Sequence, residues 1–270
     1  MRLLLVRHGE SVDNVAGLYA GSRDSSLTNH GVIQVKRLGM HVASRCATIG
    51  PVQYIFSSNL ERAYQTAEAI ADACQTHDGN STPLVKLDVI RIQDLREKDF
   101  GSSEGKKFGA KEKDDGSESP ESMRKRIDRF FDQHLSPIIG QLAAEGATVV
   151  VVSHGIILNV LLKALLSRYP PKSASSLIGD RPGSEHLAPW SNTGVLQAII
   201  EPLDNCTSPH MDGAKTIHML VEHTNNLDHL QGLKKTRGGI GSAKFDSRQR
   251  TMDSFFASAS KKRKFDDAKE

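Results

Sequence analysis

Apolar residues fall in short blocks separated by stretches of helical period. Residues 3–6 form a run of four apolar side chains that stops at Arg7-His8-Gly9, which reads as a short buried strand. From residue 28 the period changes. Val32, Val35, Leu38, Gly39 and Val42 recur at three- and four-residue steps behind Thr28, predicting a capped helix over 28–46. Residues 54–56 predict a second strand, with Ser57-Ser58-Asn59 as capping residues for a helix to about Ala73. Residues 84–90 alternate like a strand. Over 121–144, Met123, Ile127, Phe130, Phe131, Leu135, Ile138 and Ile139 share one helical side, and Pro137 predicts a break near Ser136. The run 148–152 is wholly β-branched, as in a strand covered on both faces. Residues 156–166 predict an apolar helix, and 195–200 and 217–221 two late strands. Strands alternating with helices predict an α/β fold, a three-layer sandwich around a mostly parallel sheet. The gaps at 101–120 and 168–190, rich in Gly, Ser, Pro and charge, read as surface loops of lid length.

Composition limits the classes. The 270 residues contain no apolar run near the ~20 needed to span a bilayer, and four apolar residues before Arg7 make no signal-peptide core. Cys46, Cys74 and Cys206 are odd in number and widely spaced, so neither a disulfide frame nor a zinc pattern is expected, and an intracellular location is. Charge divides the chain. Residues 230–270 carry 11 Lys/Arg against 5 Asp/Glu, and the remaining 229 residues carry 24 against 27. The expected division is a folded body over 1–229 and a disordered basic tail over 230–270.

The body writes one pattern twice: strand, polar residue, His-Gly, helix. It appears at Arg7-His8-Gly9 and at Ser153-His154-Gly155. Ligands of open α/β sheets bind outside the carboxyl ends of the strands, so two such ends would present both imidazoles at one edge. Each Gly would let backbone approach a ligand, and each following helix would point its positive end there. Arg7 and Arg62 add cations, and together these groups suit a phosphate dianion. Neither His has a third metal ligand at helical spacing and the arginines would repel a cation, so neither a metal nor a cofactor is expected.

Four motifs carry a resemblance: Arg7-His8-Gly9-Glu10-Ser11 with Asn14, Ser57 and Arg62 with Thr66-Ala67, Leu95-Arg96-Glu97, and Ser153-His154-Gly155. From residue 1 to about 225 the chain resembles the histidine phosphatase superfamily, which holds the cofactor-dependent phosphoglycerate mutases and related phosphatases, and so a phosphoglycerate mutase-like sheet. The resemblance implies His8 as the nucleophile that carries phosphoryl, and Arg7, Arg62 and His154 as ligands of the non-bridging oxygens, with His154 cationic beside the phosphate. It also implies Glu97 as general acid and then base, Asn14 as a phosphate donor and Gly21 as a substrate-loop glycine offering its backbone. The mutases compared carry a different sequence after the acid and an arginine-rich double-proline loop. Here Lys106, Lys107, Lys111 and Lys113 sit in a Gly- and acid-containing segment that reads as open, so hydrolysis of a small phosphorylated metabolite is expected. A phosphoglycerate-type mutase and a catalytically weak phospho-ligand adaptor remain alternatives.

The tail holds one non-random stretch. Gln249, Met252, Phe255 and Phe256 resemble the motif by which replication and repair proteins bind the sliding clamp (PCNA). In a 3₁₀ turn residues i and i+3 eclipse, so Met252 and Phe255 would share a face with Phe256 beside them. The pair Phe130-Phe131 is an internal control, since Arg124 stands six before Phe130 and breaks the pattern. The alternative for the tail aromatics is docking onto the chain's own body. Lys261, Lys262, Arg263 and Lys264 follow and read as a nuclear import signal. The expected setting is intracellular, with the nucleus favoured and the cytoplasm as the alternative, the clamp as a partner, no membrane, and at most weak, salt-sensitive nucleic-acid contact.

Overall fold

A computed structural model describes residues 1–76, 87–110, 115–170, 188–202, 217–237 and 239–248. The elements are β1 (Arg2–Arg7), α1 (Val12–Ala16), α2 (Asn29–Ser44), α3 (Cys46–Ile49), β2 (Val52–Ser58), α4 (Glu61–Thr76), β3 (Val89–Ile92), α5 (Pro120–Phe130), α6 (Ser136–Glu145), β4 (Thr148–Ser153), α7 (Gly155–Arg168), β5 (Val195–Pro202) and β6 (Ile217–Asn226). The sheet order is β3-β2-β4-β1-β5-β6. β1, β2, β3 and β4 are parallel, while β5 runs antiparallel to both β1 and β6. This is the expected mostly parallel sheet between helical layers.

Strand alternation builds two cores. Leu4, Val6, Val150 and Val152 pack with Leu38 and Val42 of α2 and Ala67 and Ile70 of α4. Leu3, Leu5, Val149 and Val151 face the other way, onto Ile127 and Phe130 of α5 and Leu158 and Leu161 of α7. Both faces of the apolar runs are thus covered, which explains why the central strands show no polar alternation. Thr28 caps α2 by accepting from the Gly31 N–H at 2.9 Å. Pro137 has its predicted effect in a specific form. It has no N–H to give the Gln133 carbonyl, and the chain passes through a π turn over Phe131–Leu135 between α5 and α6. Among the described residues no helix is long and apolar enough to cross a membrane.

Three expectations change. Ser57 and Ser58 end β2 rather than opening a helix cap alone, although Ser58 Oγ does accept from the Leu60 N–H at 3.3 Å. The segment after Glu97 is not open over 101–110. It lies against residues 17–19 through Tyr19 N to Lys106 O at 2.9 Å, Gly105 N to Tyr19 O at 2.8 Å and Phe108 N to Gly17 O at 2.9 Å. Nor does the body end at residue 229. Residues 239–245 strap the start of α2. Asn29 donates to Ala243 O at 3.0 Å and Phe245 to Leu27 O at 3.0 Å. Asn29 Nδ2 reaches Ile240 O at 2.8 Å, and Lys235 holds the Glu10 carboxylate at 2.8 and 2.9 Å. The part held to the body by hydrogen bonds therefore runs on to Phe245. Composition missed the strap because backbone hydrogen bonds, not an apolar stripe, attach it. Gln249, Met252, Phe255, Phe256, Lys261, Lys262, Arg263 and Lys264 lie outside the described residues, as do Lys111, Lys113 and Cys206.

Candidate active site

Register brings the two histidines together. β1 and β4 are neighbours with Arg7 opposite Ser153, so His8 and His154 leave the sheet side by side. The His8 N–H continues the ladder to Ser153 O at 3.0 Å, and the rings lie 5.0 Å apart at 58°. β2 adjoins β4, which delivers Arg62 from the first turn of α4 to the same edge.

Partner chemistry fixes the His8 tautomer. Arg62 Nε–H can only donate, and it donates to His8 Nε2 at 3.3 Å. The Gly9 carbonyl can only accept, and it meets His8 Nδ1 at 2.7 Å. The proton therefore sits on Nδ1 and Nε2 offers a lone pair. Arg62, 1% exposed, is locked by Nη1 to Arg23 O and Nη2 to Gly21 O, both at 2.8 Å. One hydrogen on each Nη remains for a ligand.

Arg7 Nη1 donates to Trp190 O at 2.6 Å. His154 Nε2 pairs with Ser58 Oγ at 2.9 Å. Arg7 Nε and His154 Nδ1 are buried without a partner among the described residues, and such groups in a folded protein call for a ligand or water. Asn14 serves both readings. Its Oδ1 accepts from Ser11 N at 3.2 Å within the α1 capping box and from Asn192 Nδ2 at 3.0 Å, leaving its NH₂ as the group facing a ligand's acceptors. Gly21, at φ +53°, gives its carbonyl to Arg62, and a Cβ there would collide with the Glu104 carboxylate.

Two expectations about backbone are corrected. Gly9 makes room for α2 and not for a ligand, since an added Cβ would lie 2.6 Å from Val35 Cγ1 and 3.1 Å from Gly31 O. The helix ends are not open to an anion either. Ser11 and Asn14 cap α1, and Glu97 takes the first N–H groups of α7. Its Oε2 accepts from Ile156 N at 3.1 Å, and its Oε1 from Ile157 N at 3.2 Å and Lys98 N at 2.9 Å. That seat places a carboxylate beside His154 through the helix end. Arg126 grips the segment carrying it, with Nη1 on Asp94 O and Arg96 O at 2.5 and 2.6 Å and Nη2 on Glu97 O at 3.3 Å.

All seven predicted body residues, Arg7, His8, Asn14, Gly21, Arg62, Glu97 and His154, line one cavity of about 560 Å³. His8 is only 3% exposed, but it reaches solvent through that cavity. Burial, then Arg62 and Arg7, hold the His8 imidazole well below its ordinary 6.5. Burial, then Arg62 and His8, do the same for His154, so a cationic His154 requires the negative charge of a bound phosphate. Burial lowers Arg62 to about 10.

These shifts carry a sign. In the unfolded chain the histidines regain about 6.5. Below that pH the unfolded state binds protons that the native His8, His154 and His229 refuse, and His229 is pushed down to about 4, chiefly by burial. Stability should hold above pH ~6.5 and fall as pH drops from there toward the native values. Calorimetry between about pH 7 and about pH 5 should show a declining Tm. A flat Tm would contradict these burials.

Several supports had no signature in the sequence. Thr193, at φ +58°, donates its N–H to Arg7 O at 3.0 Å and His8 O at 3.2 Å, and His229 holds its hydroxyl at 2.9 Å. Asn192 donates to His8 O at 3.1 Å. Thr66 Oγ1 accepts from Gly9 N at 3.1 Å, and the motif around Arg62 had at least drawn attention to it.

Comparison with known proteins accounts for this arrangement. The model of the histidine phosphatase superfamily (branch 1) matches residues 3–197. A Schizosaccharomyces pombe protein named as a probable phosphatase is 33% identical over 262 residues, covering 93% of this chain and 78% of that protein. A 2,3-bisphosphoglycerate-dependent phosphoglycerate mutase of Mesorhizobium japonicum is 31% identical over 180 residues, covering 60% of this chain and 80% of its own. The phosphoglycerate mutase structure from Bacillus anthracis superposes with a TM-score of 0.57 at 20% identity, over 86% of this chain and 95% of that one, which speaks for the fold. The chain with paired His-Gly strand ends belongs to the histidine phosphatase superfamily, branch 1.

Proposed function

We propose that the protein is a phosphomonoester phosphatase working through a phosphohistidine on His8. One observation carries this reading: His8 Nε2 is held unprotonated by Arg62 and Gly9, among two guanidiniums and the free Nδ1 of His154. In the first step the Arg62 Nε–H turns from His8 Nε2 to a phosphate oxygen, the freed Nε2 lone pair forms a bond to phosphorus as the ester P–O bond breaks, and Glu97 in its acid form gives a proton to the leaving alkoxide. In the second, Glu97 takes a proton from water, the resulting hydroxide bonds to phosphorus, and the N–P bond breaks to release inorganic phosphate. Arg7 and Arg62 balance the non-bridging oxygens throughout. His154 donates from Nδ1 once the phosphate charge has raised its proton affinity.

Hydrolysis rather than mutase chemistry is supported by the cations. Those of the described cavity lining, Arg7 and Arg62, both serve the reacting phosphoryl group, leaving none for a second anion. Incubation with phosphoglycerate and with simple alkyl phosphates should release inorganic phosphate with no isomeric ester accumulating. Accumulation of the isomer would establish the mutase alternative.

We further propose that Gln249, Met252, Phe255 and Phe256 bind the sliding clamp and that Lys261, Lys262, Arg263 and Lys264 direct nuclear import. Support comes from the motif spacing and the adjacent basic run. A peptide of residues 245–264 should bind the clamp by calorimetry, and changing both Phe255 and Phe256 to Ala should abolish the signal. Equal heats from both peptides would refute clamp recruitment.

A further inference from the structure

The cavity has two chemically different ends. Past the phosphate groups, its wall is Leu18, Tyr19, Phe100, Phe108, Ile156 and Trp190. Three of these rings form one unit: Tyr19 lies 4.7 Å from Phe100 and, edge-on, 4.9 Å from Phe108. The polar groups of the same wall are turned on one another. Asn159 accepts from Trp190 Nε1 at 3.0 Å and donates to Gly155 O at 3.3 Å. The Tyr19 hydroxyl accepts from Gly109 N at 3.2 Å. A bound alcohol therefore meets mainly ring and aliphatic faces, with the Tyr19 O–H as a remaining donor. Phe108, 59% exposed, keeps a large ring in water at the rim, a cost that a ligand covering it would relieve.

Charge argues the same way. Among the described lining residues Arg7 and Arg62 are the cations and Glu97 is an anion. A carboxylate or second phosphate on the leaving group would lose its water with no cation among the described lining residues in return, the Lys98 ammonium being spent over the outer Phe100 ring at 5.6 Å, and would approach Glu97. Trp190 ties the two ends together, because its carbonyl accepts from Arg7 while Asn159 fixes its indole.

We propose that the physiological substrate class is phosphate monoesters of uncharged alcohols bearing an aromatic or other planar apolar ring, in preference to phosphoglycerates and bisphosphates. The proposal rests on the phosphatase reading of the same cavity. Its test is kcat/KM of the full chain for phenylpropyl phosphate against glycerol phosphate. Both leave as alkoxides, so the ratio reports the wall rather than leaving-group reactivity. A preference of at least ~10-fold for the ring-bearing ester is expected. Phe108→Ser, at an exposed position that does not threaten folding, and Trp190→Ala should each cut that ratio severalfold, mainly through KM. Equal or reversed preference, or an unchanged ratio in Phe108→Ser, would overturn the substrate class while leaving the phosphatase intact. Phosphate release from neither ester would overturn both.

Discussion

His8→Ala is expected to abolish phosphate release, by at least ~10³-fold in kcat, and to remove any acid-labile phosphoryl label from the protein. The expectation comes from the tautomer. With Nδ1–H committed to Gly9 O and Nε2 accepting from Arg62, His8 has an unprotonated nitrogen without needing a neighbouring base once Arg62 turns to the phosphate, and burial holds its proton affinity below that of an ordinary imidazole. Alanine leaves Arg7, Arg62 and His154 to bind phosphate but nothing to attack it. The variant should therefore still bind inorganic phosphate or vanadate, which separates loss of the nucleophile from loss of the fold. Undiminished release from His8→Ala would instead mean that another group attacks, or that the protein is an adaptor contaminated by a phosphatase.

Glu97→Gln should lower kcat for alkyl phosphates by ~10²–10⁴-fold, the usual range for a lost general acid. The loss should be below ~10-fold for formation of the phosphoenzyme from para-nitrophenyl phosphate, whose phenolate leaves without a proton. A rapid-quench burst with that ester measures the first step alone. Glutamine can still accept at Oε1 from backbone N–H groups, so the seat at the start of α7 survives in part. An equal loss for both esters would assign Glu97 a purely structural capping role. The geometry contains that rival, because both carboxylate oxygens already accept backbone N–H groups.

The elements that carry the candidate nucleophile were legible because each is written locally. A four-residue apolar run, a polar residue and His-Gly predict a strand end with an imidazole on it, and β1 and β4 match that reading. Arg62 was legible for the same reason, being near the start of a helix that follows a strand. Trp190, Asn192 and Thr193 were not. Their roles depend on the Arg7 guanidinium and the Arg7–His8 carbonyls, more than 180 residues earlier in sequence, and no spacing rule links such segments. Nothing in the sequence sets Arg126 apart from the other charges of its helix, yet it staples three carbonyls around Glu97. Glycine was read too generously. Gly9 was expected to admit a ligand, and the nearest atoms are those of α2.

The strap also sets a distance. Phe245 is fastened to Leu27, and Phe255 follows ten residues later, a span of at most roughly 35 Å for fully extended chain. A ring-shaped partner holding the two tail phenylalanines would thus keep the catalytic body on a short leash, close against its own surface. Any ester liberated beside that ring would be met at higher local concentration than the 26 residues from 229 to Phe255 would allow as a free tether.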